Sequence, residues 1–371
     1  MAASFWSRRR AVRLLSEGRV VEALGALDTL LGDDPDQNLA VLRPWVAEAT
    51  AILGPDHEAT LRGRALVAVW TGRAGDPAAG RDLIREVLDN RVRLLGPRRP
   101  LPQSALYWLA LFTGQAGDPE SARDQFTALL PDLTRQQGPD HPDTLAARQQ
   151  LARWTGLAGD ADTARYLLDQ VVPDLTRVLG ANAHDVLVAR VDLARFTGEA
   201  GDPGEAREML VALLPDLERV LGAEHLDTWR VRADLCLWMA EAGDEDGLEQ
   251  ALRVLTPTVA ELERRLGPSH QEVVGSRYVL AVVTAEVGLF AQARDQGTRL
   301  LRDHLQVFGD DVAIELRAQV ASWTGEVGDP AGARRQLTDL LAELESRDGP
   351  EHPLAAGVRE ALDDWSEEVE R

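Results

Sequence analysis

The stretch GPDHPDTL, Gly138 to Leu145, sets His141 between Asp140 and Asp143 in a loop bounded by Pro139 and Pro142. An imidazole flanked by carboxylates is the donor set of a divalent-metal site or of a proton relay. Either chemistry needs the loop once, yet the chain repeats it: GPDHEATL from Gly54, GAEHLDTW from Gly222, GPSHQEVV from Gly267 and GPEHPLAA from Gly349. His57, His141, His225, His270 and His352 therefore read as turn elements, each one or two structural units from the next and too distant to share an ion. No H-E-x-x-H, C-x-x-C, G-x-S-x-G or G-x-G-x-x-G run occurs. All 40 basic residues are arginine, which removes the P-loop lysine, the Schiff-base lysine and the kinase phosphate lysine together. His304 stands off the histidine rhythm, and carboxylate pairs such as Asp310-Asp311 are commonplace in an acidic chain. No catalytic residue, metal site or cofactor is expected.

The elements that carry these loops are marked by glycine. Glycines fall 21 residues apart at 54, 75, 96, 117, 138, 159, 180, 201, 222 and 243. The beat slips to 267, recovers at 288 and 309, slips to 328 and closes at 349. Between glycines, apolar residues recur at three- and four-residue spacing with no period-two run, so each segment predicts a helix ended by a left-handed glycine. Two segment types alternate, which gives a 42-residue unit of two antiparallel helices. Asp143 and Thr144 are N-cap candidates for the first helix of their unit.

Columns run through the units. Eight residues before the spacer glycine stands a large apolar residue, followed by a small one: Ala68, Ala110, Ala152, Ala194, Cys236, Ala281 or Ala321. Five after the glycine comes Ala122, Ala164, Ala206, Ala293 or Ala333. Small residues facing one another let two helices approach closely, so Cys236 is expected to be buried and inert. An arginine column eleven before the glycine (Arg64, Arg148, Arg190, Arg232, Arg277, Arg317, Arg359) keeps step with Asp132, Asp174 and Asp216. Repeating interhelix ion pairs are expected there rather than a phosphate site. Pro131, Pro173, Pro215 and Pro257 recur deep in the second helices, where they predict a kink that sets curvature. After Pro257 three extra residues are inserted, and the unit before Gly328 is shortened.

The net charge of −21 argues against nucleic acid and anionic membranes as partners. The N-terminus lacks the apolar core of a signal peptide, no apolar run is long enough to span a bilayer, and a single cysteine excludes an internal disulfide framework. The expectation is a cytoplasmic protein.

The leucine-alanine pair, the spacer glycine and the following alanine resemble tetratricopeptide repeats. LGPDH and HPDTL look like the long, 42-residue form known from kinesin light chains, and the whole is similar to arrays in actinobacterial proteins. The likeness covers about residues 37 to 371, with residues 1–36 resembling one ordinary 34-residue repeat. The chain departs from it in two ways. The bulky residue four before the glycine is replaced by threonine (Thr71, Thr113, Thr155, Thr197, Thr324), with the bulk one place earlier at Trp70, Phe112, Trp154, Phe196, Trp238, Trp323 and Trp365. The asparagine pairs of the kinesin groove are also absent, so kinesin-type cargo binding is not implied.

The resemblance implies an all-α, right-handed solenoid of about nine antiparallel helix pairs. It reads as one solenoid over 1–371: a repeat in 1–36, 42-residue repeats in 37–349 with an irregular stretch at 243–328, and a capping helix in 350–371. Its concave groove would be lined from the first helices by Arg62, Tyr107, Trp108, Gln149, Gln150, Arg153, Asp192, Arg195, Arg230, Asp234, Tyr278 and Gln319. Arginines and aromatics there suit a protein or peptide partner, and Arg153, Arg195 and Arg230 together suit an acidic or carboxylate-bearing one. The expected function is a protein-interaction scaffold. A regulatory sensor of a small molecule or signalling peptide is the first alternative, and an enzyme or accessory protein with chemistry in 243–328 the second. The partner's identity and the oligomeric state stay open at this level.

Overall fold

The computed structural model describes residues 31–32, 34–96, 102–242, 245–304, 310–349 and 352–370, with residues 14 and 22 besides. Most of the expected N-terminal repeat, Gly243 and Gly309 lie outside the described residues. Among those described there are sixteen helices and no strand. They are α1 Pro35–Leu53, α2 Glu58–Arg73, α3 Pro77–Leu95, α4 Gln103–Gln115 and α5 Pro119–Gln137. There follow α6 Pro142–Leu157, α7 Ala161–Leu179, α8 His184–Glu199, α9 Pro203–Val220, α10 Leu226–Glu241 and α11 Glu245–Leu266. The last are α12 Gln271–Glu286, α13 Phe290–His304, α14 Asp310–Glu326, α15 Pro330–Asp348 and α16 Pro353–Glu370. The chain forms two compact units, 1–189 and 190–371, the division falling inside α8. None of the described helices is long and apolar enough to cross a membrane.

The repeated turns explain the glycine beat. Gly117 takes φ 95°, a left-handed conformation that a Cβ disfavours. Its N–H donates to the Gly114 carbonyl, and the Asp118 N–H to the Thr113 carbonyl, which closes the end of α4. The Asp118 carboxylate then accepts the Ser121 N–H and starts α5. The column threonines replace an aromatic with a buried hydroxyl that bonds one turn back, as Thr113 Oγ1 does to the Leu109 carbonyl at 2.7 Å. A hydroxyl with that bond is satisfied where a buried one without it would be costly.

The histidine loops are also turn devices, with one correction to the expected cap. His141, not Asp143 or Thr144, is the N-cap of α6: its Nδ1 accepts the Asp143 N–H at 3.2 Å. His57, His225 and His352 repeat the bond to Ala59, Asp227 and Leu354. An imidazole nitrogen does here what a carboxylate or hydroxyl does at most N-caps. In the His57 and His225 loops the threonine three residues on bridges back across the loop, Thr60 Oγ1 to the Gly54 carbonyl and Thr228 Oγ1 to that of Gly222. The loop aspartates pair with an arginine of the following second helix, Asp56 with Arg93 and Asp140 with Arg177. His141→Ala is expected to cost about 0.5–2 kcal/mol, and His141→Asn, which keeps an acceptor, clearly less. Urea unfolding of the two variants checks it; equal midpoints for both and wild type would remove the capping role.

Packing follows the small-residue columns. Ala68, Ala110, Ala152, Ala194, Ala281 and Ala321 are fully buried, as are Ala122, Ala164, Ala206, Ala293 and Ala333. The arginine column forms the expected ladder of ion pairs. Arg148 meets Asp174 at 2.9 Å and Arg317 meets Glu343 at 2.7 Å on the second helix of the same pair. Arg232, Arg277 and Arg359 reach the preceding second helix instead, at Glu218, Glu263 and Glu345. Asp132 has Leu106 where the column would supply arginine, and pairs with Arg135 on its own helix. Pro131, Pro173, Pro215 and Pro257 lie inside α5, α7, α9 and α11, each helical throughout. The residues inserted after Pro257 lengthen α11 to 22 residues, against 19 for α7.

Candidate functional site

In the first unit, α4 is flanked by two clefts that share Ser104 and Trp108. The first, about 440 Å³, lies among α2, α3 and α4, with Leu61, Leu66, Val69, Ile84 and Val87 as an apolar floor and Arg62 and Arg91 at its edge. The second, about 480 Å³, lies among α4, α5 and α6 and is lined by Gln103, Tyr107, Leu133, Gln137, Asp143 and Ala146 besides the shared pair. The aromatic rings between them are held from behind. Tyr107 stands edge-on to Trp108 at 5.8 Å and to the buried Phe126 at 5.3 Å, and Trp108 rests on Phe112 at 5.4 Å. Burial, with the Asp185 and Asp143 carboxylates behind it, pushes the Tyr107 phenol up to about 12. It stays a neutral donor through the physiological range.

The other expected groove residues divide by unit. In the first, Gln149 is buried, Arg62 is exposed and Arg153 half-buried, and each of the two arginines has an interaction partner. In the second, Asp192 is buried. Arg195 donates from Nε to Glu199 at 2.7 Å; desolvation pulls its pKa down, but Glu199, Asp234 and Asp192 outweigh that and raise it. Arg230 is bonded to Asp227 at 3.4 Å. Arg195 and Arg230, which by type suit a carboxylate-bearing partner, are thus each held by a carboxylate of their own helix. Tyr278 accepts a hydrogen bond from Gln319 at 3.4 Å, and burial and Glu315 raise its pKa. Glu241 is raised as well, by desolvation and then by Glu199 and Glu286.

What the sequence reading missed is the pairing of Tyr107 and Trp108 with pockets. The signal available was the succession of aromatics in SALYWLALF, the one first helix with three aromatic residues.

Just before the irregular stretch, Cys236 is buried beside the Ala251 carbonyl at 3.8 Å, and Cys236 and Ala240 of α10 pack with Val279 and Val283 of α12. Burial, with Asp234 adding to it, pushes the thiol up to about 12. A disulfide reagent at pH near 8 is expected to leave the native thiol untouched and to react once the chain is unfolded in urea, since thiolate is the reactive form. Fast native labelling would refute the packing role. Among the described residues no three His, Cys, Asp or Glu side chains are grouped to hold a metal ion.

Residues 102–177 match the family model of the tetratricopeptide repeat, so the resemblance read from the glycine and alanine columns holds over that span. A solved putative kinesin light chain from Podosopora anserina, built of nearly identical TPR-like repeats, is 21% identical over 62% of this chain and 100% of that one, with a TM-score of 0.43. A Rap protein complexed with Competence and Sporulation Factor matches over 100% of this chain and 99% of its own at 11% identity and a TM-score of 0.57. The Cut9–Hcn1 hetero-tetramer of the APC/C matches over 97% of this chain and 62% of its own at 13% identity and a TM-score of 0.56. The last two show the same all-α repeat fold. No curated protein matches the chain.

Proposed function

We propose that the protein is an interaction scaffold that holds a peptide or an extended segment of a partner protein against its first helices, with α4 as the anchor. The observation that carries this reading is Trp108, a large ring braced by Phe112 and shared by two adjoining clefts. Rigid aromatics in partly desolvated pockets supply most of the energy at interaction surfaces. The clefts have room for one or two side chains each, and the apolar floor of the first suits a bulky aliphatic or aromatic residue. The absence of a transmembrane candidate among the described helices and the single buried cysteine support a cytoplasmic setting. The acidic partner suggested by arginine types loses support from the ion pairs of Arg195 and Arg230.

Photo-crosslinking tests the reading. A photoreactive residue at Ser104, at the mouth of both clefts, is expected to give a discrete partner adduct in cells, lost when Trp108→Ala is added. The same probe at Tyr166, exposed on the second helix α7, should give none. An adduct from position 166 alone would move the binding surface off the first helices.

The sensor reading has one observation in its favour, the full-length fold match to a Rap protein solved with a bound factor. On that reading a small ligand would co-purify with the protein and raise its melting temperature.

A further inference from the structure

We infer that the cleft between α4 and the start of α6 is a pocket for one cationic side chain, an arginine or lysine of the bound partner. The inference rests on the scaffold reading and gives it a chemistry.

The rings of Tyr107 and Trp108 both line this cleft and stand at 84° to one another as an edge-to-face pair. Aromatic rings beside a carboxylate are the lining that recognises guanidinium and ammonium groups. Neither ring is free to turn away, since Phe126 and Phe112 brace them. The Asp143 carboxylate lines the same cleft and is largely exposed, and Asp185 adds negative potential at the phenol. No arginine lines this cleft, whereas the neighbouring one has two. An anion would face the field of two carboxylates, and a neutral apolar guest would desolvate Asp143 without return. A guanidinium suits this lining, with an aromatic ring at its face and Asp143 on its edge. The net charge of −21 draws cations towards the protein from a distance.

The test uses the full chain and four synthetic peptides, identical but for one central residue: arginine, lysine, citrulline or glutamate. Citrulline keeps the shape of arginine without its charge. Calorimetric titration into the low millimolar range is expected to show the arginine peptide binding about tenfold or more tightly than the citrulline and glutamate peptides. Asp143→Asn and Trp108→Leu should each weaken arginine binding by about tenfold. Asp143→Asn spares the fold, because the start of α6 is capped by His141 through the backbone of residue 143; circular dichroism of both variants checks this. Equal binding of citrulline and arginine, preference for glutamate, no arginine binding at all, or indifference to both substitutions would each overturn the inference. The Ser104 crosslink separates the two ideas. If it persists and depends on Trp108 while the peptides fail to discriminate, the cationic pocket falls and the scaffold reading stands.

Discussion

Gly198→Ala is expected to destabilise the protein by about 1–3 kcal/mol, although alanine is the better helix former by about 1 kcal/mol. A Cβ on Gly198 would lie 2.7 Å from three atoms of the Trp238 ring. Gly114 stands in the same relation to Trp154 at 2.6 Å, and Gly325 to Trp365 at 2.5 Å. Phe112, Trp154, Trp238 and Trp365 of the displaced column therefore seat on Gly72, Gly114, Gly198 and Gly325, each the glycine three before the spacer in the preceding pair. Trp238 is 4% exposed and Phe112 1%, so neither ring can swing into solvent to make room. Trp238→Ala should cost more, about 3–5 kcal/mol, because it opens a cavity that packed helices close poorly. The pair Gly198→Ala with Trp238→Leu should be less damaging than the sum of its parts, since the smaller side chain admits the methyl. Gly204 of α9 is the control, with nothing within 4 Å of its virtual Cβ. Urea unfolding midpoints of these variants decide the matter; if Gly198→Ala is as stable as Gly204→Ala, the ring does not depend on the glycine seat.

Stability should hold or rise from neutral pH to about pH 5 and fall steeply below about pH 4. The sign follows from the carboxylates. Backbone N–H groups of Ser121 and Thr163 hold Asp118 and Asp160 below their ordinary range. Arg148 and Arg177 do so for Asp174, Arg219 and Arg190 for Asp216, and Arg317 for Glu343. Arg264 and Arg265 lower Glu261 to about 2. A group depressed in the folded state contributes stability that is complete above its unfolded pKa and lost as pH falls through the folded one. Each pair is exposed and individually weak, but the repeat multiplies them. Glu241 works in the opposite direction: raised by desolvation and by Glu199 and Glu286, it adds stability as it protonates. With 61 acidic residues against 40 arginines, partial protonation also relieves self-repulsion before it removes the ion pairs. Melting temperatures across this range at low and high salt check the profile. A midpoint unchanged down to about pH 3 would mean that the ion-pair ladder and the carboxylate caps carry no weight.

Much of this architecture is legible in one dimension because its causes are local. A left-handed turn needs glycine at Gly117 whatever lies around it. Two helices joined by such a turn must meet through small residues, so Ala110 and Ala122 could be assigned to the core from spacing alone. The Arg148–Asp174 and Arg317–Glu343 pairs are legible for the same reason, being fixed by the register of two helices joined by one turn. The histidines were legible as turn elements, but the cap was placed two residues too late. The error, giving the cap to Asp143 rather than His141, arose because imidazole is an uncommon cap and the choice depends on backbone angles at the loop exit.

The residues facing away from their own pair are where spacing alone could not decide. Gln149 and Asp192 share the helical stripe of Tyr107 and Arg153, yet both are buried. Arginine types at 195 and 230 suggested a cationic wall, but Glu199 and Asp227 on their own helices hold them. The displaced tryptophans looked like a departure from the repeat until Gly114 and Gly198 were placed beneath Trp154 and Trp238. Sequence by itself determined the helices, the turns and the packing within a pair, since these depend on residues a few turns apart along the chain. Only the tertiary structure decided which aromatic is buried and where Tyr107 and Trp108 open into clefts. Those outcomes depend on contacts between pairs, about forty residues apart in sequence, where close packing lets a single methyl group or carboxylate reverse a side chain's fate.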